Sequence, residues 1–124
     1  MAIKTELLEE IGLTKSEIKV YLALLELGSA TSGPIVDKSE ASSSKIYEIL
    51  EKLIQKGLVS YIIKSGIKYF EAAEPRRILE YVQEKEKKIQ EQTKKVEELL
   101  PELELCLLEL EELRLGENEE RPEE

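Results

Sequence analysis

The 124 residues include no histidine and no tryptophan, and cysteine, methionine and phenylalanine occur once each. Without histidine there is no imidazole to act as a general base or a metal ligand near neutral pH. A lone cysteine, Cys106, excludes an intrachain disulfide and a cysteine-built metal site. There is no glycine-rich phosphate loop, because Gly28, Gly33, Gly57 and Gly66 stand as isolated punctuation. The abundant glutamates recur at spacings suited to lysine pairing on solvated helix faces. These absences predict a non-enzyme with no metal and no cofactor.

Long apolar runs are also missing. None approaches the roughly 18 residues that suggest a membrane span. The opening MAIKTELLEE is charged at once, unlike a signal peptide. A cytoplasmic protein with no membrane partner is expected. The scarcity of large aromatics argues against a large core, so part of the chain should bury its apolar face on another chain.

The formal net charge is −9, but it is unevenly placed. Residues 1–72 hold nine lysines against ten acidic residues, and residues 73–100 hold seven basic and seven acidic residues. Residues 101–124 hold two arginines and ten glutamates. The head is therefore near neutral with local basic spots, and phosphate responds to the local field. The richness in lysine and glutamate fits a thermophilic source, and fits a long helical segment equally well.

What is present reads as a chain of short helices. Ile3, Leu7, Leu8 and Ile11 share one face of a helix over 3–11 that Gly12 stops. Thr14-Lys15-Ser16-Glu17 has the capping-box pattern. The helix behind it carries Ile18, Tyr21, Leu22 and Leu25 as core and ends at Gly28. Thr31 or Ser32 is expected to cap a brief helix with Pro34 in its first turn. Ser39-Glu40-Ala41 makes a turn. Ser42 or Ser43 is expected to cap a longer helix with Ile46, Leu50, Leu53 and Ile54 buried and Gly57 at its end. Val59–Ile63 and Ile67–Ala72, joined by Lys64-Ser65-Gly66, predict a two-stranded hairpin.

Helix, turn, helix and hairpin in that order make a winged helix-turn-helix, a unit that places its second helix in the DNA major groove. Ser42, Ser43 and Ser44 are small hydroxyls at that helix's N-terminus, able to bond phosphates or base edges, or simply to cap the helix. Lys45 and Tyr47 reach further from the same end, and Lys52 shares their face. Lys64 and Lys68 flank the wing tip, where they either meet phosphate or only solubilise the hairpin.

From Pro75 the pattern changes. Val82, Ile89, Val96, Leu103 and Leu110 recur every seven residues, with Leu99, Leu107 and Leu113 beside them. A seven-residue apolar repeat predicts a left-handed coiled coil, here a homodimer seam. Lys85 and Gln92 weaken its middle, and the leucine stripe after Leu99 is broad. Pro101 lacks a backbone N–H, so a kink or break is expected near it. Cys106 lies in the seam. In a parallel dimer it would face its twin, but a small buried apolar residue is the simpler reading. Residues 116–124 are charged and predict a disordered acidic tail.

Several of these stretches resemble the TrmB family of mostly archaeal transcriptional regulators. They are Gly12-Leu13-Thr14 with Glu17, Tyr21 to Leu25, Ser44-Lys45-Ile46-Tyr47-Glu48, Lys56-Gly57-Leu58-Val59, and Phe70, Ala72 and Pro75. The resemblance spans about residues 7–80 and implies a DNA-binding winged helix. It has departures. Ser42 and Ser43 stand where the family often has Pro-Arg, and Phe70 stands where it has tyrosine. Larger members carry a sugar-binding domain after the coiled coil. This chain stops at 124, so a short form or a fragment is expected and sugar sensing is not carried over.

The combined expectation is a mainly α protein with a small β-hairpin (α+β). Residues 1–74 form the winged helix-turn-helix, 75–115 a helical dimerisation segment and 116–124 the tail. Double-stranded DNA and a second copy are the expected partners, with helix 42–56 in the major groove and wing 59–72 on the backbone. No residue pattern points to a small-molecule effector. The rival from another class is a winged helix that binds protein in a transcription or chromosome-associated complex without touching DNA.

Overall fold

The computed structural model describes residues 4–120, with side chains through Gly116. Its elements are α1 (Thr5–Glu10), α2 (Lys15–Leu27), β1 (Ser29–Ala30), α3 (Ser32–Ser39), α4 (Ile46–Gln55), β2 (Val59–Lys64), β3 (Ile67–Ala72) and α5 (Arg76–Glu120). The chain is mainly helical with one antiparallel sheet and a long C-terminal helix, as expected. By contacts it divides into Met1–Gln83 and Glu84–Glu124.

In the first unit, α2 is the central helix, touching α1, α3, α4, β1 and β3. Thr14 and Glu17 form the expected capping box. Glu17 N–H donates to Thr14 Oγ1 at 3.1 Å, and Thr14 N–H donates to Glu17 Oε1 at 2.7 Å. The buried set is wider than a single stripe: Ile18 and Tyr21 are buried as expected, and Val20, Ala23 and Leu24 join them. Leu25, expected in the core, is 42% exposed, and Leu22 is half-buried. A helix enclosed on several sides buries more than one face, so the buried set departs from the single stripe expected. In α1, Leu8 and Ile11 pack against the core while Leu7 is exposed. Ile3, expected on that face, lies outside the described residues.

Helix α3 starts after Thr31, which makes no side-chain cap bond, and Pro34 falls in the first turn. It stops at Glu40, whose φ of 60° is left-handed. Buried Ser39 donates from Oγ to the Ile35 carbonyl at 2.6 Å and accepts from Ala41 N–H at 3.2 Å. That pair holds the turn into α4. The expected serine cap of α4 is not formed. Ser42 to Lys45 make a turn closed by Lys45 N–H to the Ser42 carbonyl, and α4 begins at Ile46 with Lys45 at its N-cap. Ser42 and Ser44 bond each other instead, Oγ to Oγ, at 2.8 Å. Ile46, Leu50 and Leu53 are buried as expected, joined by Ile49. Gly57, at φ 78°, closes α4 with paired bonds: Gly57 N–H to Ile54 and Leu58 N–H to Leu53. This is the Schellman arrangement, which needs a left-handed residue there.

The sheet has three strands, ordered β1-β3-β2, where a two-stranded hairpin was expected. The addition is β1, which sets Ala30 opposite Phe70. Two residues are too short to show a strand period. The hairpin runs from Val59↔Ala72 to Lys64↔Ile67. Its loop is Ser65-Gly66, both at positive φ, as a two-residue type I′ connection requires. Tyr21 Oη donates to the Ala73 carbonyl at 3.2 Å, tying α2 to the end of the wing, and burial raises the Tyr21 phenol above its usual value of 10.0.

Ile78 and Tyr81 pack on the core, so the first turns of α5 belong to the head. The division between the two compact units falls after Gln83. In the second unit α5 continues through Pro101, and the chain is not broken there. The side chains around the proline are exposed, so water can satisfy the carbonyl it frees. The tail expected from Gly116 is helical through Glu120, and residues 121–124 lie outside the described residues. Ile89, Val96, Leu99, Leu103, Leu107, Leu110 and Leu113 are all exposed on the single chain, and Val82 is half-buried. Cys106 is also exposed.

Candidate nucleic-acid interface

The turn before α4 and the first turns of α4 bring Ser42, Ser43, Ser44, Lys45, Tyr47 and Lys52 to solvent, all exposed. They are exposed because Ile46, Ile49, Leu50 and Leu53 occupy the inner face at three- and four-residue spacing. Tyr47 is 62% exposed, and its hydroxyl lies 3.0 Å from Ser32 Oγ. That contact steadies a long side chain across the gap between α3 and α4. In sequence Ser32 stands only as a possible cap of α3, not as part of this face. Its position in the first turn of α3 was the available signal.

No side chain caps α4. The N-terminal end of α4 lies beside the exposed Lys45, Ser42, Ser43 and Ser44. A helix N-terminus with uncapped donors favours an anion such as a phosphate. Glu48 and Glu51 share the exposed face with Lys45 and Lys52, so the face as a whole is close to neutral. Its positive end is the N-terminal one.

Lys64 and Lys68 flank the wing tip, as expected, but register puts them on opposite faces of the hairpin. Each leans on a tyrosine. Lys68 Nζ sits 4.5 Å from the Tyr61 ring centroid, and Lys64 Nζ sits 6.0 Å from that of Tyr69. A cation over a ring keeps its charge while losing freedom. The wing is also more apolar than lysines alone suggest: Ile62, Ile63 and Ile67 are half or more exposed.

Lys56, at the other end of α4, does not join this face. Its Nζ is bound to Glu17, so the exposed reading surface ends before it. Among the described residues, no group of three or more His, Cys, Asp or Glu is placed to hold a metal ion. No described helix is long and apolar enough to cross a membrane.

Comparison with known proteins bears on the family and the fold. Residues 8–76 match the family described as sugar-specific transcriptional regulator TrmB. A sugar-sensing transcriptional regulator of Pyrococcus furiosus, TrmBL1, is 32% identical over 77 residues, covering 62% of this chain and 22% of that protein. The structure of TrmBL2, described as an archaeal chromatin protein with a novel mode of DNA binding, superposes with a TM-score of 0.71 at 27% identity. It covers 86% of this chain and 44% of that one. A MarR family protein from Bacillus stearothermophilus shares the fold, with a TM-score of 0.51 at 23% identity over 89% of this chain and 81% of that one. The chain thus spans about a fifth of the TrmBL1 length. The family match covers more than half of the chain, and the protein belongs to the TrmB family.

Proposed function

We propose that this protein is a sequence-specific, double-stranded-DNA-binding transcriptional regulator that acts as a homodimer. The carrying observation is the uncapped N-terminus of α4 surrounded by Ser42, Ser43, Ser44, Lys45 and Tyr47. Inserted in the major groove, that end meets phosphate with backbone donors and base edges with side chains. The tyrosine-backed Lys64 and Lys68 contact phosphate beside it. The exposed stripe from Ile89 to Leu113 is the dimer seam. Support comes from family membership and from the DNA binding described for TrmBL2.

The test is Lys45→Ala. It should weaken binding to the operator about tenfold, as loss of roughly 1–2 kcal/mol at a base or phosphate contact does, while sedimentation still shows a dimer. Equal loss of DNA binding and dimerisation would refute the assignment.

A second reading has its own observation. Ile62, Ile63 and Ile67 make the wing an exposed apolar surface, which suits a protein partner better than a phosphate backbone. Replacing all three with serine would leave DNA binding unchanged under the first reading. Under the second it would remove the interaction of the winged helix with its protein complex.

A further inference from the structure

Charge is segregated along α5. Residues 85–95 hold five lysines and two glutamates, whereas residues 97–112 hold seven glutamates and no basic residue. Both windows carry the exposed stripe that begins at Ile89. A helix with so broad an exposed apolar face needs a cover. If the cover is a second copy, its direction follows from the charge. A parallel pair sets seven glutamates beside seven glutamates, and Lys85 against the partner's Lys85 in the seam.

We propose that α5 pairs with α5 of a second copy in the antiparallel direction, with Ile89 facing the partner's Cys106; this rests on the homodimer reading above. In that register Val82 meets the partner's Leu113 and Val96 meets the partner's Leu99. Flanking the seam, Lys88 faces the partner's Glu109 and Lys95 faces the partner's Glu102, and the two-fold repeats both pairs. Lys85 lies opposite the partner's Leu110, where its stem packs and its ammonium reaches water. A shallow hollow of about 290 Å³, lined by Ile89, Gln92, Thr93, Val96 and Glu97, lies where the partner's Leu99 and Leu103 insert as knobs. At ~1.5 Å per residue the two Glu84 positions then stand about 40 Å apart along the pair, against about 10 Å across a parallel one. The reading heads leave from opposite ends.

Native Cys106 is the probe. The unaltered protein and Ile89→Cys are oxidised mildly and run on non-reducing gels, with the oligomeric state of each measured by sedimentation. The antiparallel register predicts no crosslink through Cys106 in the unaltered dimer and a crosslinked dimer for Ile89→Cys. Two cysteines 17 residues apart on one helix are about 25 Å apart and cannot bridge within a chain. A dimer crosslinked through native Cys106 alone overturns the direction and leaves the homodimer standing. A dimer in which neither protein crosslinks also overturns the register. A monomer by sedimentation overturns the homodimer reading itself.

Discussion

Lys56 Nζ lies 2.8 Å from both carboxylate oxygens of Glu17 and 3.2 Å from the Gly12 carbonyl. One lysine thus joins the end of α4 to the start of α2. Glu17 is nearly sealed from water, with 1% of its surface exposed, and the same carboxylate completes the capping box with Thr14. Breaking a buried pair from one side strands the other charge, at about 3–5 kcal/mol, less where one partner reaches water. Lys56 is partly exposed. We expect Lys56→Met to cost about 2–3 kcal/mol in urea unfolding. Glu17→Gln, which can still accept from Thr14 N–H, should cost less than Glu17→Ala.

The pair also sets the acid side of stability. Burial pushes the Glu17 carboxyl up, but the Lys56 ammonium and the Thr14 bonds outweigh it and hold the carboxyl below its ordinary 4.5. A depressed folded value contributes stability that is present above 4.5 and lost as pH falls through the folded value. Urea midpoints should therefore fall below about pH 4.5, and Lys56→Met should flatten that fall. On the alkaline side burial raises Tyr21 above 10.0, so its contribution is intact below 10 and lost as pH climbs beyond it. Tyr21→Phe removes that alkaline loss and, by deleting the bond to Ala73, costs about 1 kcal/mol at neutral pH.

Gly57 ends α4 at φ 78°, and an added Cβ would meet nothing within 4 Å. Gly57→Ala therefore probes backbone conformation alone. It should destabilise by about 1–2 kcal/mol, and Gly57→Asn by less, because asparagine tolerates the left-handed region. Thermal unfolding separates the two variants.

The wing lysines make a different prediction from Lys45. Lys64→Ala and Lys68→Ala should weaken binding to all duplexes alike and reduce the salt slope by about one unit each. Lys45→Ala and Tyr47→Phe should instead narrow the gap between operator and scrambled duplex. Tyr47→Phe removes the hydroxyl contact with Ser32 and so loosens the aim of the side chain. Titrations at several salt concentrations distinguish the two classes.

Much of this was legible from residues that act locally. Thr14 and Glu17 announce their capping box, Gly57 its helix end and Ser65-Gly66 its hairpin turn, because each depends on neighbours in sequence. The exposed face of α4 followed from the spacing of Ile46, Leu50 and Leu53. The misses depended on distant partners. Strand β1 exists only because Phe70 and Glu71 pair with it. Ser42 and Ser44 bond each other rather than cap α4, a choice between near-equal local bonds. Lys56 was grouped with the reading helix because nothing nearby reveals Glu17, 39 residues away. The continuity of α5 past Pro101 reflects an exposed setting that a local proline rule does not weigh.

Specific DNA binding is tested by fluorescence anisotropy of the purified protein on duplex from its own upstream region and on a scrambled duplex, across a salt series. A sequence-specific regulator binds the upstream duplex more tightly by orders of magnitude, with a log–log salt slope of several units. Absence of binding to either duplex at low salt would contradict the proposed function.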